Sequence, residues 1–321
     1  MLLLFCHANA YPQKKPQWLK NPELVFDKGK YFYAIGFGDD RNKARENVLA
    51  ILSENITSKI FSQTASIEKE TSQNQNNKET RGESFNYSSI YESKIAVVSE
   101  SKLFDVKFEY YEPRKGPVEA IGYFDIQKVT NICQEYLSDN NQNIQQLLLP
   151  ASSLLIQQKN YLQAEVLATD NQMLINLLRI INPDRQNSPT NIDPIDIQQM
   201  IVKLAEKITF QVEVTPEDEG LKSQVIGFIN SLGFSVVKQS SPFVLKAYVE
   251  FLEVSDIPAV FSLKWNLSLT LLENGVVTGS YHLNGIKDHF SIDEAREAIY
   301  KTIGYKILAE SHARQSLFGY E

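Results

Sequence analysis

The chain has 321 residues, 43% of them hydrophobic, which is enough for more than one packed core. Its formal net charge is −7 and its lysines and arginines are spread along the chain, so no basic stripe invites nucleic acid or an anionic membrane surface. No stretch approaches the ~20 apolar residues of a membrane-spanning helix.

Residues 1–10, M-L-L-L-F-C-H-A-N-A, read as the remnant of an export signal. Leu2 to Phe5 form the end of an apolar run, and Ala8-Asn9-Ala10 is a small-residue pattern suited to cleavage before Tyr11. The basic and longer apolar parts of such a signal are then expected upstream of this methionine. Cys6 is a poor site for lipid attachment, because the bulky Phe5 precedes it. Removal of the signal leaves Cys133 alone, which allows no intramolecular disulfide and no cysteine-pair zinc site.

Residues 11–125 read as a first α+β domain. A polar, proline-containing lead-in carries Trp18 and Leu19 as an anchor, and residues 30–37 form a strand. A helix over 40–61 follows, capped by Asp39 or Asp40, with Ala44, Val48, Ile51, Leu52, Ile56 and Ile60 on one face. Residues 68–84 have no apolar period and read as a solvated tip. Phe85, Tyr87, Tyr91, Ile95 and Val97 share one parity, residues 104–110 alternate strictly, and 118–125 form a last strand. Short connections make these strands antiparallel.

From 126 to 181 the pattern is helical. It reads as two antiparallel helices broken near Asn140–Pro150, a pair suited to spacing or to self-association. Residues 182–206 are a proline-bearing linker and a short helix. Residues 207–321 read as a second α+β domain. It comprises a strand at 208–214, a helix from Leu221 to Leu232, strands at 234–239, 243–254, 262–273 and 276–284, and a last helix opened by the capping box Ser291-x-x-Glu294. Asn274-Gly275 is the tip of a hairpin. The fold class is therefore α+β, two small domains with antiparallel sheets joined by a helical pair.

The stretch Y-F-Y-A-I-G-F-G-D-D (31–40) raises one chemical question, since a glycine pair between strand and helix also opens nucleotide-binding loops. A dinucleotide fingerprint needs a third glycine, where Arg41 stands, and a parallel βαβ unit. A P-loop needs G-K-[ST], which is absent from the sequence. Gly36 and Gly38 are therefore read as a corner that lets the helix lie close on the sheet. The histidines, His7, His282, His289 and His312, have no metal-ligand spacing, and no G-x-S-x-G elbow occurs. No catalytic residue, cofactor or metal is expected.

The first half resembles the Lpp-twenty family of bacterial envelope lipoproteins. The resemblance rests on P-Q-W (16–18), Y-F-Y-A-I-G-F-G (31–38), Lys43-Ala44-Arg45 with its apolar helix, and the strand ending A-I-G-Y-F-D (120–125). The motif residues are Trp18, Tyr33, Gly36, Gly38, Ala44 and Gly122. The same region is similar to the amino-terminal domain of the flagellar-ring protein FlgT. The second half looks like the α+β domains of the TolB amino terminus and of LpoB, through L-G-F-S-V-V (232–237), F-V-L-K-A-Y-V (243–249) and W-N-L-S-L-T-L (265–271). The family implies a non-enzymatic envelope protein, periplasmic or held at the outer membrane. Its expected partners are other envelope proteins, such as flagellar or cell-wall machinery. The alternatives are a small-ligand protein or enzyme with a site between the second sheet and a loop at 285–291, near His282, Asp288 and His289, and a surface-exposed antigen or adhesin.

Overall fold

The structure is a computed structural model that describes residues 14–74, 105–183, 192–253, 261–309 and 311–319, with the backbone alone for 59–74. The expected export segment, with Ala8, Ala10 and Tyr11, and the strand expected around Phe85–Val97 lie outside the described residues. The chain divides into two compact units, residues 1–141 with 169–191, and residues 142–168 with 192–321.

In the first unit, β1 (Tyr31–Gly38) pairs with β3 (Val118–Asp125), and β3 pairs with β2 (Lys107–Tyr111). Both pairings are antiparallel, in the order β1-β3-β2. Helix α1 (Arg41–Asn74) crosses one face. It runs past the expected end near residue 61 and takes up the first part of the segment read as a tip. Asp40 starts it, its Oδ1 accepting the Lys43 N–H at 2.8 Å. Alternation decides which residues meet α1: Phe32, Ala34, Phe108, Tyr110, Val118 and Ala120 pack against Ala44, Val48 and Leu52. The opposite parity, Tyr31, Tyr33, Ile35, Ile121 and Tyr123, faces the lead-in segment. There Trp18 and Phe26 are buried, and the Phe26 and Tyr123 rings lie 4.4 Å apart. This sheet is covered on both faces.

Helices α2 (Ile126–Leu147) and α3 (Leu154–Ile181) form the expected pair, and the break expected near Asn140–Pro150 falls at residues 148–153. Asn140 donates to the buried Asn171 at 2.9 Å, and Asn171 donates to Asn141 at 3.0 Å, so polar residues bond across the pair. Within the first unit, Val129 and Cys133 of α2 pack on Leu177, Ile180 and Ile181 of α3. Within the second, Ile144, Ala164, Ala168 and Ile197 form a small cluster with helix α4 (Pro194–Ala205), which Asp193 caps.

The second unit is built on a five-stranded sheet, in the order β5-β4-β6-β7-β8. Its strands are β4 (Thr209–Thr215), β5 (Ser235–Val236), β6 (Phe243–Glu253), β7 (Phe261–Glu273) and β8 (Val276–His289). The α+β class holds, with one refinement: the sheet is mixed. β4 runs parallel to both β5 and β6, while β6, β7 and β8 are antiparallel. Helix α5 (Glu219–Ser231) makes the crossover from β4 to β5, which is what permits parallel pairing. Helices α6 (Ile292–Ala309) and α7 (Ser311–Phe318) complete the layer with α5. The core lies beneath them: Phe210, Leu245, Leu267 and Trp265 from the strands meet Phe228, Ile299, Ile303 and Phe318 from the helices. Ser291 caps the helix as expected, accepting the Glu294 N–H at 3.3 Å, while its hydroxyl donates to the Glu294 carboxylate at 2.9 Å in place of the reciprocal backbone bond of a capping box.

Candidate functional site

The strand-to-helix corner is a site of close packing. A Cβ on Gly36 would lie 2.7 Å from the Val48 nitrogen, and one on Gly38 would lie 2.2 Å from the Ala44 nitrogen. One on Gly122 would lie 2.4 Å from Val48 Cγ1. Register places Ala34 opposite Gly122 and Gly36 opposite Ala120, so four small residues make a floor on which Ala44 and Val48 sit. Neither Gly36 nor Gly38 has a positive φ, so the requirement is space and not backbone freedom.

The hollow beside this corner, about 450 Å³, is lined by Asp39, Asp40, Arg41, Asn42, Glu112 and Val118. Arg41 is tied to the Glu112 carboxylate and lies 5.4 Å from the Tyr110 ring centroid. Three carboxylates and one cation already paired make a poor seat for phosphate. The first backbone amides of α1 are also in use: the Lys43 N–H goes to the Asp40 side chain and the Ala44 N–H to the Asp40 carbonyl. Of the motif residues, Gly36, Gly38, Ala44 and Gly122 meet at this contact, while Trp18 and Tyr33 lie in the aromatic cluster on the other face.

His282, Asp288 and His289 do not converge. Residues 285–289, expected as a loop, continue β8 in register with β7, Asp288 opposite Ser262 and His289 opposite Phe261. His282 and Asp288 share a face but stand six residues apart, roughly 20 Å along the strand, and His289 points to the other face. His282 Nδ1 lies 2.9 Å from Ser268 Oγ. His289 Nδ1 lies 2.9 Å from Glu294 Oε2, an ion pair only when the ring is protonated and without the alignment of a hydrogen bond. Among the described residues, no group of three or more His, Cys, Asp or Glu is placed to hold a metal ion. Burial pushes the Cys133 thiol up to about 12, which makes it a packing group and a poor nucleophile.

The open side of the second sheet mixes polar and apolar side chains. The odd-numbered residues of β6 and β7, and of β8 from Gly279 on, face the helices; the even-numbered ones face outward. Cross-strand rows follow from register: Leu252–Lys264–Ile286, then Glu250–Asn266–Asn284, then Thr215–Tyr248–Ser268–His282, then Glu213–Lys246–Thr270–Ser280. Lys246 and Glu213 lie 3.2 Å apart, and Asn266 donates to Glu250 at 3.4 Å. Within this polar weave Tyr248, Leu252 and Ile286 are 50%, 45% and 63% exposed. These three apolar members were not singled out in the sequence. Their signal was parity: each shares its strand's outward phase.

No family model matches the chain, and no curated protein matches it. Among solved structures, a secreted protein of Helicobacter pylori is similar at 14% identity, covering 89% of this chain and 98% of its own, with a TM-score of 0.46. A minor lipoprotein from Acinetobacter baumannii matches at 10% identity over 32% of this chain and 90% of its own, with a TM-score of 0.24. The rare lipoprotein B from Shewanella oneidensis matches at 12% identity over 34% and 90%, with a TM-score of 0.23. No functional conclusion rests on these scores.

Proposed function

We propose that the protein is an exported, non-enzymatic accessory of the bacterial envelope that works by binding other proteins. The observation that carries the binding half is the open face of the second sheet. A sheet that packs a core on one side exposes the other to water, and polar residues are expected there. This face instead sets Tyr248, Leu252 and Ile286 among Lys264, Asn266 and His282. Exposed aromatic and aliphatic anchors inside a hydrogen-bonding rim are the usual composition of a recognition surface. The resemblance of the first half to the Lpp-twenty family of envelope lipoproteins supports the envelope half.

The experiment is expression from the native upstream start, followed by fractionation and crosslinked recovery from whole cells. The reading predicts protein in the periplasm or outer membrane together with a defined envelope complex. Recovery from the cytosol alone would contradict the location. Membership of a flagellar or a cell-wall complex would then be read from the recovered proteins.

A further inference from the structure

The two edges of the second sheet differ. β5, at one end, is two residues long, as protected edges are. β8, at the other, runs 14 residues and contains no proline and a single lysine, Lys287. It pairs with β7 on one side, and no described strand pairs with its far edge. β8 has a register shift opposite Leu271 and Leu272 and is regular from Gly279 on, and a long regular edge is a template for another strand.

The sequence along that edge says which strand. Residues 279–285 read G-S-Y-H-L-N-G, a pattern that is the same in both directions: small, polar, apolar, histidine, apolar, polar, small. Side chains alternate faces with period two, so only an antiparallel pairing whose partners share parity keeps the faces aligned. Placing His282 on the twofold does this. Ser280 then meets Asn284 of a second copy on the open face. Tyr281 meets Leu283 on the helix-covered face, where both already pack with the core. Gly279 meets Gly285. These glycines have a reason of their own within one chain, since a Cβ on Gly285 would lie 2.8 Å from the Trp265 ring and one on Gly279 would lie 2.4 Å from the Leu317 carbonyl. In the pair they add bare backbone at both ends of the shared stretch. Each His282 ring is held back by its own Ser268, which leaves the strand edge clear.

We propose that β8 is a self-association edge: two copies join antiparallel about His282 and form one continuous ten-stranded sheet. The edge contact is isologous, as a twofold interface must be. Few residues take part, which places it in the weak class, seen as concentration dependence and not as a permanent dimer. It goes beyond the partner-binding reading and does not depend on it, because the open face remains uncovered in the pair.

The full chain in sedimentation velocity over a wide concentration range should shift from monomer to dimer. His282→Glu puts two carboxylates opposite each other and should abolish the dimer. Ser280→Lys with Asn284→Glu, which restores opposite charges across copies, should keep or tighten it. Circular dichroism shows whether each variant is folded. As a register test that leaves the strand intact, His282→Cys should form an intermolecular disulfide on mild oxidation, and Ile286→Cys should not, its predicted partner being Thr278. A monomer at every concentration, a dimer indifferent to His282→Glu, or crosslinking from Ile286→Cys in place of His282→Cys would overturn the proposal.

Discussion

The two sheets solve the same problem in opposite ways. The first has three described strands and is covered on both faces, by α1 and by the Trp18–Phe26 segment. It gains its closeness from missing side chains, with Gly36 and Gly38 letting the helix backbone approach and Gly122 making room for the Val48 side chain. The second has five strands and, among the described residues, is covered on one face. It gains its core from large side chains, Phe210, Phe228 and Trp265 among them, and its other face keeps Tyr248, Leu252 and Ile286 exposed. A sheet sealed on both sides can serve as a folding unit; a sheet sealed on one side has surface left for function.

The largest expected effect breaks the second sheet. Trp265 is 2% exposed, and its ring fills the space above Gly285. Trp265→Ala should cost about 3–5 kcal/mol, the range for emptying a buried aromatic. Denaturant unfolding followed by backbone signal will read it. Close behind comes Gly38→Ala, which breaks the first sheet by addition. The new methyl meets the Ala44 backbone, which cannot swing aside, so a loss near the upper end of overpacking, about 3 kcal/mol, is expected. The same variant and the wild type should both show no heat of nucleotide binding by calorimetry. Measurable nucleotide affinity in the wild type would restore the phosphate-loop reading.

Asp218 gives a smaller, pH-dependent effect. It caps α5 through the Gly220 and Leu221 amides at 2.8 and 3.1 Å, and it accepts the Tyr300 hydroxyl at 2.7 Å. Burial acts to raise its pKa, but the Tyr300, Leu221 and Gly220 hydrogen bonds with nearby Arg296 outweigh that, and the carboxyl lies below its ordinary 3.8. Asp218→Ala should cost about 1–2 kcal/mol near neutral pH. A depressed carboxyl stabilises above its unfolded pKa and loses that contribution as pH falls through the folded value. The Tm gap between wild type and variant should therefore close as pH drops below 3.8. The smallest effect is a control on the glycine account. Gly227 lies inside α5, and a Cβ there meets nothing within 4 Å. Gly227→Ala should stabilise by about 0.5–1 kcal/mol, since helix propensity acts there without opposition. Thermal melts of the two glycine variants side by side separate space from propensity.

Much of this was legible in the residues. Alternation over residues 104–110 placed a strand and its faces, the Asn274-Gly275 tip marked a hairpin, and the Ser291–Glu294 box marked the start of a helix. What escaped was set by partners far along the chain. β4 runs parallel because α5 carries the chain across. Residues 285–289 looked like a loop because Lys287 and Asp288 are polar, yet β7 holds them in register. The apolar members of the open face are set by phase and not by hydrophobicity: Tyr248 and Ile286 look like core until their phase is followed from Ala247 and Gly285.

The central claim is that the uncovered face of the second sheet is the surface this protein binds with. A photo-crosslinking amino acid at Tyr248 in living cells, compared with the same probe at Tyr33 on the sealed sheet, tests it directly. The account predicts a discrete adduct with one envelope protein from the Tyr248 position and none from Tyr33. Silence at Tyr248, or equal capture from both positions, would contradict it.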